Sequence, residues 1–209
     1  MRAAVGRVNI LDLENVLTMH WIDPDALPET AGAINTVIHD ADGQVDGLVL
    51  DGDRFVHVPP HLARALGAQR LRVGAMVSVR GVKPRRAQMV VAVSICAAGC
   101  CVEDDEDGPE AHEPPPPPAT MPADVVGEVR LTLHAPRGEV CGALLEDGTV
   151  VRIWPRHNEA LAEYFEPGRH IEVWGPAFRK GRALIVDVDH VAFIAESEEE
   201  AETFADERF

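Results

Sequence analysis

One pattern is written twice in this chain of 209 residues, and a duplication restricts the possible folds more than any other feature here. Residues 32–95 and 127–194 align at an offset of 95, without a gap over their first halves. Gly32 falls on Gly127, His39 on His134, Gly43 on Gly138, Val45 on Val140 and Gly47 on Gly142. Leu50, Val56 and Pro60 fall on Leu145, Val151 and Pro155; one residue is then lost before Gly74 meets Gly168 and Gly81 meets Gly175. Self-similarity at a single period means one structural unit built twice. The chain therefore divides into an N-terminal segment 1–31, a repeat 32–95, a linker 96–126, a second repeat 127–194 and a tail 195–209. Units of about 65 residues bury only about 60% of their unfolded surface, so contact between the copies would help both.

Each copy reads as short strands separated by turn residues. In the first, Ala33 to His39 is rich in β-branched residues and runs into Asp40-Ala41-Asp42-Gly43, a turn with a positive φ at the glycine. Val45 to Leu50 and Arg54 to Val58 follow, and Pro59-Pro60 ends the third strand because proline cannot donate to a ladder. His61 to Leu66 predicts a short helix opened by proline. Met76 to Arg80 and Met89 to Ile95 complete five strands around the basic loop Lys83-Pro84-Arg85-Arg86. The second copy repeats this with Val129 to Leu133, Val140 to Leu145, Val150 to Trp154, a helix through Leu161 to Phe165, His170 to Trp174 and Ala183 to Val188. Its basic loop is Phe178-Arg179-Lys180-Gly181-Arg182.

Five strands with a helix between the third and fourth is the element order of an OB-fold. The expected class is all-β, as two tandem five-stranded OB-fold-like barrels; an SH3-like barrel is the alternative. Gly47-Leu48-Val49-Leu50-Asp51-Gly52 and Val56-His57-Val58-Pro59-Pro60-His61-Leu62 resemble a pattern found in small bacterial OB-fold proteins described only as nucleic-acid-binding domains. The second copy departs from it at Trp154-Pro155-Arg156-His157. The resemblance implies a barrel and a nucleic-acid ligand, and covers about two thirds of the chain.

Net charge is −16, but it is unevenly spread. The repeats carry +3 and −2, while the N-terminal segment, linker and tail carry −3, −8 and −6. The acid thus lies outside the repeats, and a low overall pI does not exclude a polyanionic ligand. No secretory signal or run of about 20 apolar residues is evident, so a cytoplasmic protein without a membrane span is expected. The acidic block Glu103 to Asp107 followed by Pro114 to Pro118 reads as a solvated spacer. Val8 to Leu17 could form a strand or a short helix.

Alternation along strands places Val56, Val58, Val151 and Ile153 in the cores, with Val77, Val79, Ile171 and Val173. Phe55, His57, Arg152 and Trp154 then face away, as do Ser78, Arg80, His170, Glu172 and Trp174. OB-folds take ligands on strands two and three and at loops 1–2 and 4–5. The candidate nucleic-acid-binding set is therefore Phe55, His57, Arg80, Lys83, Arg85, Arg86, Arg152, Trp154, Arg179, Lys180 and Arg182. Phe55 and Trp154 would stack on bases and the loop cations would meet phosphates. Against this, Trp154 and Trp174 could instead join the two copies, or pack beneath the N-terminal segment.

Cys96, Cys100 and Cys101, with His112, are soft ligands at the wrong spacing for a structural zinc site, so no metal is expected. Cys96 reads as a strand end, and Cys100 and Cys101 as free thiols in a reducing compartment. His39 and His134 read as turn-flanking side chains. The acidic tail ending in Arg208-Phe209 resembles the Phe-terminated tips of bacterial single-strand-binding proteins, which would make Phe209 a partner contact; a solubilising tail is the plainer reading. There is no Gly-rich phosphate loop, His-Glu-x-x-His or Gly-x-Ser-x-Gly, so neither enzyme activity nor a cofactor is expected. Two functions remain open: a module for single-stranded nucleic acid or a related polyanion, and a protein-interaction adaptor using the outward aromatics and acidic tail. A third possibility is that the copies merely pack together and bind nothing.

Overall fold

The computed structural model describes residues 23–85, 87–104, 116–154 and 158–194. The first barrel comprises β1 (Glu29–His39), β2 (Val45–Leu50), β3 (Arg54–His57), α1 (Pro60–Leu66), β4 (Met76–Val82), β5 (Met89–Ala97) and β6 (Cys100–Glu103). The second comprises β7 (Met121–His134), β8 (Val140–Leu145), β9 (Val150–Arg152), α2 (Asn158–Leu161), a 3-10 turn Ala162–Phe165, β10 (His170–Lys180), β11 (Ala183–Asp187) and β12 (His190–Phe193).

Strand order β3-β2-β1-β4-β5 closes through a parallel β3–β5 pairing, and β9-β8-β7-β10-β11 closes in the same way through β9–β11. These are two closed, five-stranded OB-type barrels, each with its helix after the third strand. Closure needs sharp coiling, and glycine provides it. A Cβ on Gly142 would lie 2.0 Å from the carbonyl oxygen of Val151, and one on Gly175 would lie 1.9 Å from that of Asp187. Their counterparts Gly47 and Gly81 would meet Val56 and Val91 oxygens at 3.0 and 2.2 Å. The repeated glycines therefore mark the points where strand backbones press together.

The expected inward residues fill the cores. Val56, Val79, Val151, Ile171 and Val173 have no exposed area, and Val58, Val77 and Ile153 are buried with them. Helix α1 plugs the first barrel with Leu62, Ala63 and Leu66; Phe165 on the 3-10 turn packs into the second. Gly43 takes the expected positive φ, 71°, and the Asp40 carboxylate holds that turn by accepting from the Asp42 and Gln44 backbone N–H groups.

Two strands go beyond the expected ten. β12 is the continuation of β11: together they lie where β5 lies in the first barrel, interrupted at Val188-Asp189. β6 is an addition, returning antiparallel along β5 through the tight turn Ala98-Gly99. Cys96 and Cys101 face each other across this hairpin and are disulfide-bonded, which corrects the expectation that Cys101 is a free thiol. Directly opposed positions bring their Cα atoms to 4.0 Å, within reach of a cross-link. Cys100 and Cys141 are free.

The barrels pack on each other through matched positions. Ile38 and Leu133, Val49 and Leu144, and Phe55 and Val150 are repeat-equivalent pairs. All six are buried in one cluster with Met89, Phe178 and Ile185. The same patch of each copy is used, as in a two-fold dimer. Arg130 of the second barrel also pairs with Asp53 of the first.

Candidate nucleic-acid interface

The outer side of β2 and β3, where an OB-fold ordinarily meets its ligand, is the side on which these barrels join. Phe55 is only 2% exposed, and its place between the barrels corrects the expectation that it stacks on bases. A ring in a packed apolar cluster cannot receive a base unless the barrels part. His57 is likewise covered, with its Nδ1 3.5 Å from Asp46. Burial, the larger effect, lowers its pKa against the opposing pull of Asp46. Arg152 occupies the equivalent position and pairs with Asp187 at 3.7 Å, its Nη1 buried without a hydrogen-bond partner. Asp46 is itself pushed up by burial, although His57 and Arg152 oppose this. His57 and Arg152 are therefore polar groups committed to the joint rather than to a ligand.

Arg80 is also committed. It donates to the backbone oxygens of Asp25 and Leu27 and pairs with Glu29 at 3.6 Å, clamping the segment ahead of β1 onto β4. The tryptophans do not make the joint. Trp154 is 53% exposed, and Trp174 lies half-buried beside Met121, Pro122 and Pro176 on another face. Arg86 and Phe209 lie outside the described residues, as do His112, Val8 to Leu17 and the acidic tail.

What remains is the loops. Lys83 and Arg85 are exposed between β4 and β5, and Arg179, Lys180 and Arg182 around the β10–β11 turn. None of the five makes an ion pair with another described residue, so their charge is available to a ligand. The β10–β11 hairpin does not stand free. It leans against the first barrel, with the Lys180 side chain beside Gly43. Between them runs a groove of about 450 Å³ walled by Asn35, Thr36 and His39 of β1 and by Lys180 and Arg182. Val37, Val45, Leu71 and Val73 supply its apolar part. Burial and the neighbouring Lys180 ammonium hold His39 below the usual imidazole range, so the ring is neutral near pH 7. Pattern reading missed Asn35, Thr36 and His39 because the groove draws on both barrels; the matched apolar residues on their outer faces were the available signal.

Among the described residues no three metal-ligating side chains converge, and no helix is long and apolar enough to cross a membrane.

No family model and no curated protein matches the chain. Solved structures that resemble it include two of the single-stranded DNA binding protein from Thermus aquaticus, a deletion mutant and the wild type. Each is 13% identical over 81% of this chain, covers 94% and 92% of its own length respectively, and superposes with a TM-score of 0.27. The barrel assignment itself stands on the strand order and pairing above.

Proposed function

We propose that this chain is a non-catalytic tandem OB module that binds single-stranded nucleic acid or a closely related polyanion, through its 4–5 loops and the groove between the barrels. The observation that carries the reading is the division of its cations. Arg80, Arg130 and Arg152 are used up in ion pairs that hold the structure, whereas the five loop cations are exposed and make no ion pair among the described residues. Of these, Lys180 and Arg182 stand beside a groove with apolar walls, an arrangement that suits a strand's phosphates and bases together. Lys83 and Arg85 share their surface with Glu29 and Asp53, while Lys180 and Arg182 meet a single lining carboxylate, Asp147.

Binding of a 20-nucleotide thymidine strand to the full chain, followed by anisotropy across a salt series, tests the reading. Affinity should fall steeply with salt, and Lys83→Ala with Arg85→Ala should flatten the log–log slope by roughly 0.7 for each phosphate no longer neutralised. No binding at low salt, or an unchanged slope in both this pair and an Arg179→Ala, Lys180→Ala, Arg182→Ala triple variant, would remove it.

The adaptor reading is favoured by one feature, the exposure of Trp154 on a molecule whose barrels are near neutral overall. It requires a protein partner that Trp154→Ala releases while strand binding stays intact.

A further inference from the structure

The wall formed by Val37, His39 and Val45 in the first groove has its repeat equivalent in Thr132, His134 and Val140 of the second barrel, yet the charged residues beside the two walls differ in sign. Gly74 and Gly168 donate to Ile34 and Val129, and Ala75 and Arg169 donate to Arg72 and Glu166, so Arg72 and Glu166 are structural equivalents. In the first groove the loop after α1 carries exposed Arg72 between the lining residues Leu71 and Val73, and the opposite wall is Lys180 and Arg182. In the second, the wall beside Thr132 and His134 carries Glu163 and Glu166. The charged side chains lining the first groove are thus Lys180, Arg182 and Asp147, whereas those lining the second are Glu163 and Glu166, the latter paired with Arg169, so an anion is drawn to the first in preference to the second.

Size and lining narrow the ligand. A volume of about 450 Å³ lies in the range of small-molecule sites and is short for a length of strand. The apolar floor of Val37, Val45 and Leu71 suits a base, and Lys180 and Arg182 at the rim suit a phosphate. The one carboxylate on the lining, Asp147, is turned to its own loop, accepting from the Thr149 backbone N–H and hydroxyl. Inorganic phosphate would leave the apolar part unused.

We propose that the groove between β1 and the β10–β11 hairpin is a single subsite for one nucleotide bearing a terminal phosphate, and that its counterpart beside Glu163 and Glu166 does not bind. The ligand chemistry rests on the strand-binding reading above; the choice of one groove over the other rests on the charge reversal. The nucleotide could be a free monophosphate or the phosphorylated end of a strand.

Calorimetry on the full chain at low salt distinguishes these, using thymidine monophosphate, inorganic phosphate, and a four-nucleotide thymidine strand with and without a 5′-phosphate. One site per chain is expected, with the phosphorylated strand about tenfold tighter than the hydroxyl form, as one additional charge-assisted hydrogen bond would give. Lys180→Ala with Arg182→Ala should erase that difference, and Glu163→Gln with Glu166→Gln should leave it. Binding of the monophosphate alone, without its strand, assigns the subsite to free nucleotide. Two equal sites, strands that bind equally with and without the phosphate, inorganic phosphate binding as tightly as the monophosphate, or an effect that survives the Lys180/Arg182 variant would each overturn the subsite. The 20-nucleotide strand separates the two claims. If it binds while the phosphate effect is absent, the subsite fails and the module reading stands. If only the monophosphate binds, the subsite stands and the strand reading fails.

Discussion

His57 and Arg152 are the same third-strand residue in the two repeats; His57 is buried, Arg152 is partly buried, and both lie close to Asp46. Neighbouring positions follow suit: Asp46 and Cys141 are also equivalent, and both are close enough to Arg152 to feel its charge. One copy thus brings an acid and an imidazole to the joint, the other a thiol and a guanidinium. An ancestral self-contact would have met like with like; here the duplicated halves have diverged into complements.

This placement makes stability pH-dependent. Burial lowers the pKa of His57, and likewise of His39 and His134. Below the ordinary histidine value, about 6.5, the unfolded chain then binds more protons than the folded one, so stability falls as pH falls. Asp46 and Asp187 are raised, mainly by burial, and act in the opposite sense nearer the carboxylate range. The unfolding midpoint should therefore drop between pH 7.5 and 5.5, and His57→Gln should make the drop shallower. A midpoint that is flat or rises on acidification over that window would contradict the role given to these histidines.

Phe55 offers a direct contrast between packing and ligand contact. Truncating a buried phenylalanine costs about 3–5 kcal/mol when the site cannot collapse. Phe55→Ala should cause a loss of that order in urea unfolding, while affinity for the thymidine strand, measured where the variant is still folded, stays near that of the parent chain. Lost affinity with unchanged stability would return Phe55 to the ligand face.

The cores were legible because alternation is a local signal. Val56, Val58, Val77 and Val79 needed only strand boundaries to be placed inward, and turn glycines such as Gly43 marked those boundaries. The joint was not, because each half of it lies one repeat away in sequence. Alternation correctly turned Phe55 away from its own core but could not say what lay there. A better reading was available in Leu48-Val49-Leu50 and Ala143-Leu144-Leu145, continuous apolar runs buried on both faces. Such runs belong to strands with a covered outer side, not to a solvated ligand face. The β6 hairpin was missed for another reason. Its four residues adjoin the acidic run, and Ala98-Gly99 is a turn signal only once Cys96 and Cys101 are seen to oppose each other.

The four cysteines of the chain should separate cleanly by reactivity. Cys96 and Cys101 are bonded to each other, and burial pushes the Cys141 thiol up to about 12. Cys100 and Cys141 are both partly exposed, but a thiol that stays protonated is a poor nucleophile, so Cys100 rather than Cys141 should react with a thiol reagent at pH 8 in the native state. Reductant should release two more thiols, and Cys141 should appear only on unfolding. Opening the cross-link also frees β6 from β5 in the unfolded chain's favour, and for so short a loop the stability loss in a Cys96→Ser, Cys101→Ser variant should be about 2 kcal/mol. Because β6 packs its Cys100 and Val102 against the first core, that loss should fall on the first barrel and leave the second unchanged, as amide exchange on β1–β5 against β7–β11 would report. Three fast-reacting thiols before reduction, or equal loss of protection in both barrels, would show that the hairpin is neither cross-linked nor part of the first barrel's closure.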